Sequence, residues 1–334
     1  MTLGILKGFL DSHSLSYEEA CKALNIDYKL IDLLSPHWID LIQNSQCVGF
    51  LCHPPCDFSE QKQIYDEKLY FINKVLGLPI YPSFDELFIY ENKRNMASWL
   101  QIHKFPHPKT LVFARKEDAK NYLIKANYPL VLKSNSGASA SGVSIVNKPK
   151  TALKILNQVF GRIHPALVLG RIRFVKNRNG IPIPFIGDSQ RHYLIVQDYK
   201  KIKWEWRIIK IGNSYFGHKK LLKGSFASGS GQVGWEDPPK ELLFLIKNIA
   251  ETGKFESLSV DIFETMEEEY LVNEIQSMFG SILPYQMKVN NIPGRYIYNE
   301  KTDSFEFEEG EFNIMGSNYL RVQHFASTLI DLKY

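Results

Sequence analysis

Apolar and polar positions along this chain switch between a period near two and a period near 3.6, and the switches mark the elements. In "EWRIIKIGNSYFGHKK" (205–220) two alternating runs flank Gly212-Asn213, which predicts a β-hairpin turning there. A second hairpin is predicted over "SLSVDIFETMEEEYLVNEIQSMFG" (257–280), with Glu264 paired to Glu269 across a four-residue loop. That register sets Asp261 opposite Val272 and puts 272, 274 and 276 on one face. "HYLIVQDY" (192–199) and "CVGFLC" (47–52) read as strands, the second ended by Pro54-Pro55. Leu242, Leu245, Ile246 and Ile249 line one side of a helix over 239–253, closed by Gly253. Leu153, Leu156 and Phe160 do the same over 150–161. Residues 16–25 read as a short helix with Ser16 at the N-cap and Glu19 completing a capping box. Residues 67–77 read as a helix that ends at Gly77. Near residue 91 a polar entry leads into an amphipathic helix, a Pro-punctuated turn and a strand ("ENKRNMASWLQIHKFPHPKTLVF"), then a helix in "KEDAKNYLIKANYP". Beyond about residue 290 the pattern predicts no clear element.

One stretch fits neither period. In "VLKSNSGASASGVSIV" (131–146) a strand ends at Lys133, a run of small residues follows, and a second strand begins. A Walker loop needs Gly-Lys-Ser/Thr opening a helix, and a dinucleotide fold needs GxGxxG opening one. Neither is present. A lysine beside a loop rich in backbone N–H groups suits phosphate oxygens. In the later hairpin, Asp261, Glu274 and Gln276 converge on one face, as diagonal neighbours about 7–8 Å apart. Carboxylates brought that close repel unless a cation lies between them, and an all-oxygen set suits Mg²⁺ completed by substrate phosphates.

Composition narrows the class without naming it. The 334 residues suffice for two or three units with a sizeable core. Apolar residues at 44% and charged residues at 23% are ordinary for a globular chain. The net charge of +4 is too weak to argue for nucleic acid, and no apolar run is long enough to predict a membrane span. The N-terminus lacks a signal-peptide layout, so a cytoplasmic location is expected. Cys21, Cys47, Cys52 and Cys56 lack finger spacing, and ordinary thiols are expected in place of a zinc site.

Taken singly, each motif has a plainer reading: a solvated lysine, a linker, surface acids. Their order changes this. "NK" (92–93), "PLVLKSNSGASASG" (129–142), "LIVQDY" (194–199), "EWR" (205–207), "SVDIF" (259–263) and "VNEIQSMFG" (272–280) together resemble the ATP-grasp superfamily, in its carboxylate–amine ligase branch. The resemblance implies an α+β fold: two subdomains clamping ATP, at 91–196 and 197–334, after a small α/β domain at 1–90. It implies that Lys93 and Lys133 contact phosphates, and that the loop Ser134–Gly142 closes over them through Ser134, Ser136, Gly137, Ala138, Ser139 and Gly142. Gln197, Asp198 and Tyr199 match the hinge whose main chain reads adenine, and Glu205 matches an acid that meets the ribose. Arg207 matches the arginine that steadies the transferred phosphoryl, with Lys133 assisting. Asp261, Glu274 and Gln276 match the ligands of two Mg²⁺ ions, which Mn²⁺ can replace; Gln276 stands where the family has asparagine.

The implied reaction joins a carboxylate acceptor to an amine through an acyl phosphate, releasing ADP and phosphate. Alternatives are a kinase on the same fold or a non-catalytic ATP-binding module. Residues 161–193 read as an insertion crowded with Arg162, Arg171, Arg173, Lys176, Arg178 and Arg191. Arg171 and Arg173 are expected to meet an anionic acceptor such as an acidic sugar or peptide. Lys220, and Ser228 in the Gly/Ser-rich stretch 223–235, are further candidates for substrate contact, whereas His218 reads as a surface or structural residue. No nucleic-acid or membrane partner is expected, and a homodimer is allowed.

Overall fold

The computed structural model describes residues 1–56, 59–136, 142–160, 173–176, 182–186, 192–222, 232–280 and 283–331. A parallel sheet comes first, built from β1 (Thr2–Lys7), β2 (Asp27–Asp32), β3 (Phe50–Leu51) and β4 (Ile80–Tyr81) in the order β2-β1-β3-β4. Around it lie α1 (Asp11–Ala23), α2 (Trp38–Gln43), α3 (Ser59–Tyr70), a π-helical turn at Phe71–Val75, and α4 (Phe84–Ile89). α1 begins well before Ser16, so the expected capping box there does not form. Ser14, Tyr17, Ala20 and Cys21 explain the earlier start, because their helical spacing buries all four on one side. The capping box is at Ser83 and Glu86 instead, opening α4.

After α5 (Lys93–Ile102), a second sheet forms from β5 (Thr110–Phe113), β6 (Leu130–Lys133), β7 (Val143–Val146) and β10 (Leu194–Asp198), ordered β5-β10-β6-β7 and antiparallel throughout. α6 (Lys116–Lys125) and α7 (Pro149–Val159) supply Leu123 and Leu156 to its core. Within the insertion, β8 (Arg173–Lys176) and β9 (Pro182–Ile186) pair as a hairpin.

The third sheet carries β11 (Ile202–Ile211), β12 (Ser214–Lys220), β13 (Val233–Gly234), β14 (Ser257–Thr265), β15 (Tyr270–Gln276), β16 (Lys288–Val289), β17 (Ile292–Asn299) and β18 (Ser304–Glu309). Ile211 pairs with Ser214, so the first hairpin turns at Gly212-Asn213 as its pattern predicts. α8 (Lys240–Gly253) covers the apolar face, where Leu242, Ile246, Ile249, Leu258, Val260 and Ile262 pack. Its left-handed cap is Lys254 and not the expected Gly253. The ring of Phe255 lies 2.3 Å from where a Cβ at position 253 would stand, which explains the glycine inside the helix. The last helix, α9 (Asn318–Asp331), returns to the first sheet and adds Val322, Phe325 and Leu329 to its core. Among the described residues no helix is long and apolar enough to cross a membrane.

Glu86 ties the first unit to the third sheet. Its carboxylate accepts from the backbone N–H of Ser83 at 2.6 Å, Glu256 at 2.9 Å and Ser257 at 2.6 Å. Burial pushes the carboxyl up from 4.5 to about 7, more than these donors pull it down. Its folded value is above its unfolded one, so its contribution to stability is full below the unfolded value and is lost as pH rises through about 7. Wild type should therefore lose stability relative to Glu86→Gln between pH 5 and 8, by at most roughly 3 kcal/mol. Thermal melts of both proteins across that range check this; parallel pH profiles would exclude it.

Candidate active site

The polar face of the third sheet is built by strand alternation. Leu258, Val260 and Ile262 of β14 point into the core, leaving Ser259 and Asp261 on the other side. Arg207 of β11 lies directly opposite Asp261, and His218 of β12 directly opposite Arg207. The β14–β15 register differs from expectation. Glu264 pairs with Tyr270 and Ile262 with Val272, then the register shifts and Asp261 faces Glu274. Asn273 is the extra residue of a β-bulge. Val272 is buried in the core instead of sharing the Asp261 face, and Asn273 and Glu274 both reach the site.

A charge network fills this face. Arg207 grips Asp261 with two bonds, Nε to Oδ1 at 2.8 Å and Nη2 to Oδ2 at 2.9 Å, and its Nη2 lies 3.4 Å from Gln276 Oε1. Lys220 Nζ binds Glu205 and also Asp261 Oδ2 at 2.8 Å. Burial alone would raise the Asp261 carboxyl, but the Arg207 and Lys220 charges outweigh it and hold the group well below the usual carboxylate range. Glu205 is pushed up by burial despite Lys220. Asn273 bridges the network outward: its Nδ2 donates to Glu205 at 2.8 Å while its Oδ1 accepts from Lys133 Nζ at 3.0 Å.

The second sheet contributes from across the crevice. Lys133 ends β6, and burial, then the nearby Lys93 charge, push its ammonium down to about 8. Lys93 opens α5 behind the N-cap Asn92 and lies 3.2 Å from Glu274. Asn135 joins loop to helix, its carbonyl accepting from Lys93 N and its side chain from Arg94 N. Ser134 N donates to Gly142 O at 2.7 Å, closing the neck of the loop. Gly142 has φ +76°, and a Cβ there would lie 1.8 Å from Ser134 Oγ, so only glycine fits. Ser136 is buried beside them and accepts from Ser134 Oγ through its carbonyl.

Between the layers lies a crevice lined by Met96, Leu100, Ile195, Gln197, Val272 and Asn273. Its volume of about 10 Å³ holds roughly one water. Gln197 donates to Thr110 Oγ1, and Asp198 N–H to Lys109 O. Asp198 and Tyr199 line a separate groove of about 660 Å³ with Lys109, Tyr122 and Lys200. Glu274 and Gln276 are half-buried, and their side-chain oxygens make a donor set that fits one hard cation finished by phosphate and water. Among the described residues, no group of three His, Cys, Asp or Glu side chains is placed to hold a metal alone.

Lys133, Glu205, Arg207, Asp261 and Gln276 are thus joined through Asn273 and Lys220, and the Lys93–Glu274 pair lies close enough to act on the Lys133 charge. Lys220, expected to face substrate, turns inward to join them. Gly137, Ala138, Ser139, Arg171 and Ser228 lie outside the described residues, and of Arg173 only the strand is described. One participant, Asn273, was missed from sequence; it is signalled by the extra polar residue in "VNEIQ".

No protein-family profile matches this chain, and no curated protein matches it either. Solved structures do. The D-alanine–D-alanine ligase of Bacillus anthracis is similar over 99% of both chains, at 14% identity and a TM-score of 0.57. A RimK-domain ATP-grasp protein of Sphaerobacter thermophilus is similar over 82% of this chain and 90% of its own, at 15% identity and a TM-score of 0.53. This chain has the ATP-grasp fold. A third solved ATP-grasp structure that is similar is the RiPP-associated ligase of Chryseobacterium gregarium, in complex with ADP and a leader and core peptide. It is similar over 83% of this chain and 89% of its own, at 12% identity and a TM-score of 0.52.

Removing one carboxylate from the cluster should be felt as stability. Asp261→Asn leaves Arg207 and Lys220 buried without their shared anion and should cost about 3–5 kcal/mol. Adding Arg207→Met should recover part of the loss. Urea unfolding of the single and double variants checks both; a neutral Asp261→Asn would show that the pairing carries no weight.

Proposed function

We propose that this protein is an ATP-dependent carboxylate–amine ligase that forms an amide through an acyl phosphate and releases ADP and phosphate. The observation that carries the reading is the meeting of two layers. Lys93 and Lys133 come from the earlier one and reach Glu274 and Asn273 of the later one, beside the Arg207–Asp261 pair. Cations opposite carboxylates across a crevice are what a metal-bound triphosphate requires.

Lys93 and Lys133 hold the phosphates. Glu274 and Gln276, with Asp261 opposite Glu274, hold magnesium, which supplies positive charge to the phosphate oxygens. Arg207 and Lys133 offset the charge that develops as the acceptor carboxylate attacks the γ-phosphoryl. The carboxylate becomes an acyl phosphate, and an amine then displaces phosphate. Positioning and electrostatics do most of this, so no side-chain nucleophile is needed. The ligase neighbours support the choice of reaction, and the arginines of the insertion support an anionic acceptor.

The test is ADP release with Mg²⁺ against panels of carboxylates and amines, followed by product analysis. An amide plus free phosphate is expected. A phosphorylated alcohol would replace the ligase with a kinase, and ATP binding without acceptor-dependent ADP release over the whole panel would leave only a binding module. Within the ligase reading, Glu274→Gln should lower kcat about 100-fold or more with circular dichroism unchanged. Lys133→Ala should raise the KM for ATP and slow phosphoryl transfer. Normal kinetics in both variants would place the phosphate site elsewhere.

A further inference from the structure

An amine that attacks an acyl phosphate must shed a proton as its C–N bond forms, and the cluster just described is made of cations and their paired carboxylates. His218 stands beside it. The imidazole shares a face of β12 with Lys220 and lies across the ladder from Arg207. Its Nδ1 is 2.9 Å from the backbone carbonyl of Gln286. A carbonyl oxygen only accepts, so Nδ1 carries the hydrogen and Nε2 presents a lone pair.

This orientation is fixed from behind. The Gln286 side chain donates to Asn313 Oδ1 at 3.0 Å, and Asn313 in turn donates to the carbonyl of Leu283. The ring lies tilted against Trp235, with centroids 5.5 Å apart, and Trp235 packs edge to face with Tyr285 at 5.2 Å. Both aromatic residues are half-buried, and His218 beneath them is buried. Among the described residues no hydrogen-bond partner of Nε2 is found. The charged groups facing the ring are Arg207 of β11, Lys220 of β12 and Asp261 of β14. Burial first, and then the two cations, push the imidazole down to about 4, which keeps it neutral and able to accept at pH 7.

The geometry points to His218 as the general base that deprotonates the attacking amine in the second half-reaction. This rests on the ligase reading. The amine lone pair forms a bond to the acyl carbon, the bond from that carbon to the phosphate oxygen breaks, and phosphate leaves with the electron pair. Nitrogen becomes strongly acidic as it bonds, and its proton passes to Nε2, then to phosphate or water. A histidine that only anchored Gln286 would need Nδ1 alone, and the two roles separate on that basis. His218→Asn keeps a donor where Nδ1 was and deletes Nε2.

Two measurements decide it. In the full-length protein labelled with ¹⁵N-histidine, long-range ¹H–¹⁵N spectra, assigned with His218→Asn, should show the Nδ1–H tautomer with a bare Nε2 at pH 7. A ring protonated on Nε2 overturns the proposal. With the carboxylate and amine that give product in the ADP-release panel, His218→Asn should lower amide formation about 100-fold. Trapping of the acyl phosphate by hydroxylamine, an α-effect nucleophile that reacts with acyl phosphates without help from an enzyme base, should fall far less. Equal losses in both, or none in either, overturn the proposal while leaving the ligase reading intact. A panel with no ADP release sinks the ligase reading and this inference with it.

Discussion

A buried sheet face that carries Glu205, Asp261 and Glu274 holds together only because a cation is placed against each. Lys220 serves Glu205, Arg207 and Lys220 serve Asp261, and Lys93 serves Glu274. Unpaired, any one of these carboxylates would pay several kcal/mol in lost hydration. The pairing also dictates geometry. Arg207 reaches Asp261 with both ends of its fork because the two stand directly opposite on adjacent strands. Glu274 stands opposite Asp261 only because Asn273 bulges. Without the bulge Val272 and Glu274 would share one face, so that either Val272 would leave the core or Glu274 would turn into it. Loop, helix start and hairpin therefore share one constraint: opposite charges from two layers must arrive within bonding distance.

How much of this the sequence reveals depends on the range of the interactions. Alternation and turn chemistry are local, so the Gly212-Asn213 hairpin and the strand ending at Lys133 are legible from a few residues. The ordered motifs brought Lys93, Lys133, Arg207, Asp261 and Glu274 into one expectation, and they do meet in space. The register of the second hairpin was not legible. A bulge adds one residue to one strand and leaves composition untouched, and Glu264 can pair with Glu269 or Tyr270 with equal local sense. The start of α1 was misplaced because Ser16 and Glu19 form a tidy cap, while burial of Ser14 and Tyr17 against the first sheet decides the matter. That α9 completes the core of the first sheet is a contact across more than 200 residues, beyond any local pattern. His218 was read as structural because a lone histidine usually is. Only the ladder to Arg207 and the Gln286 carbonyl show which nitrogen is bare.

The crevice between the layers is too narrow for a purine, and the contacts that close it explain how it can open. Lys93 meets Glu274 and Lys133 meets Asn273, while Val272 N–H donates to the carbonyl of Pro106 and Ile275 N–H contacts the sulfur of Met96. These bonds are few and mostly polar, and two of them use the lysines proposed to grip phosphate. When the layers part, each ammonium loses an oxygen partner, and on the proposed reading a triphosphate oxygen would replace it in kind. Glu274, released from Lys93, would then face the cation proposed to accompany the nucleotide. The exchange keeps every buried charge paired at both ends, while the apolar contact of Met96 and Leu100 with Val272 belongs to the core of the third sheet. Among the described residues, the Arg207, Asp261 and Lys220 contacts lie within the third sheet and reach the second only through Glu205 and Asn273. They can therefore stay formed through the motion, holding the reacting face rigid while the lysines change partners.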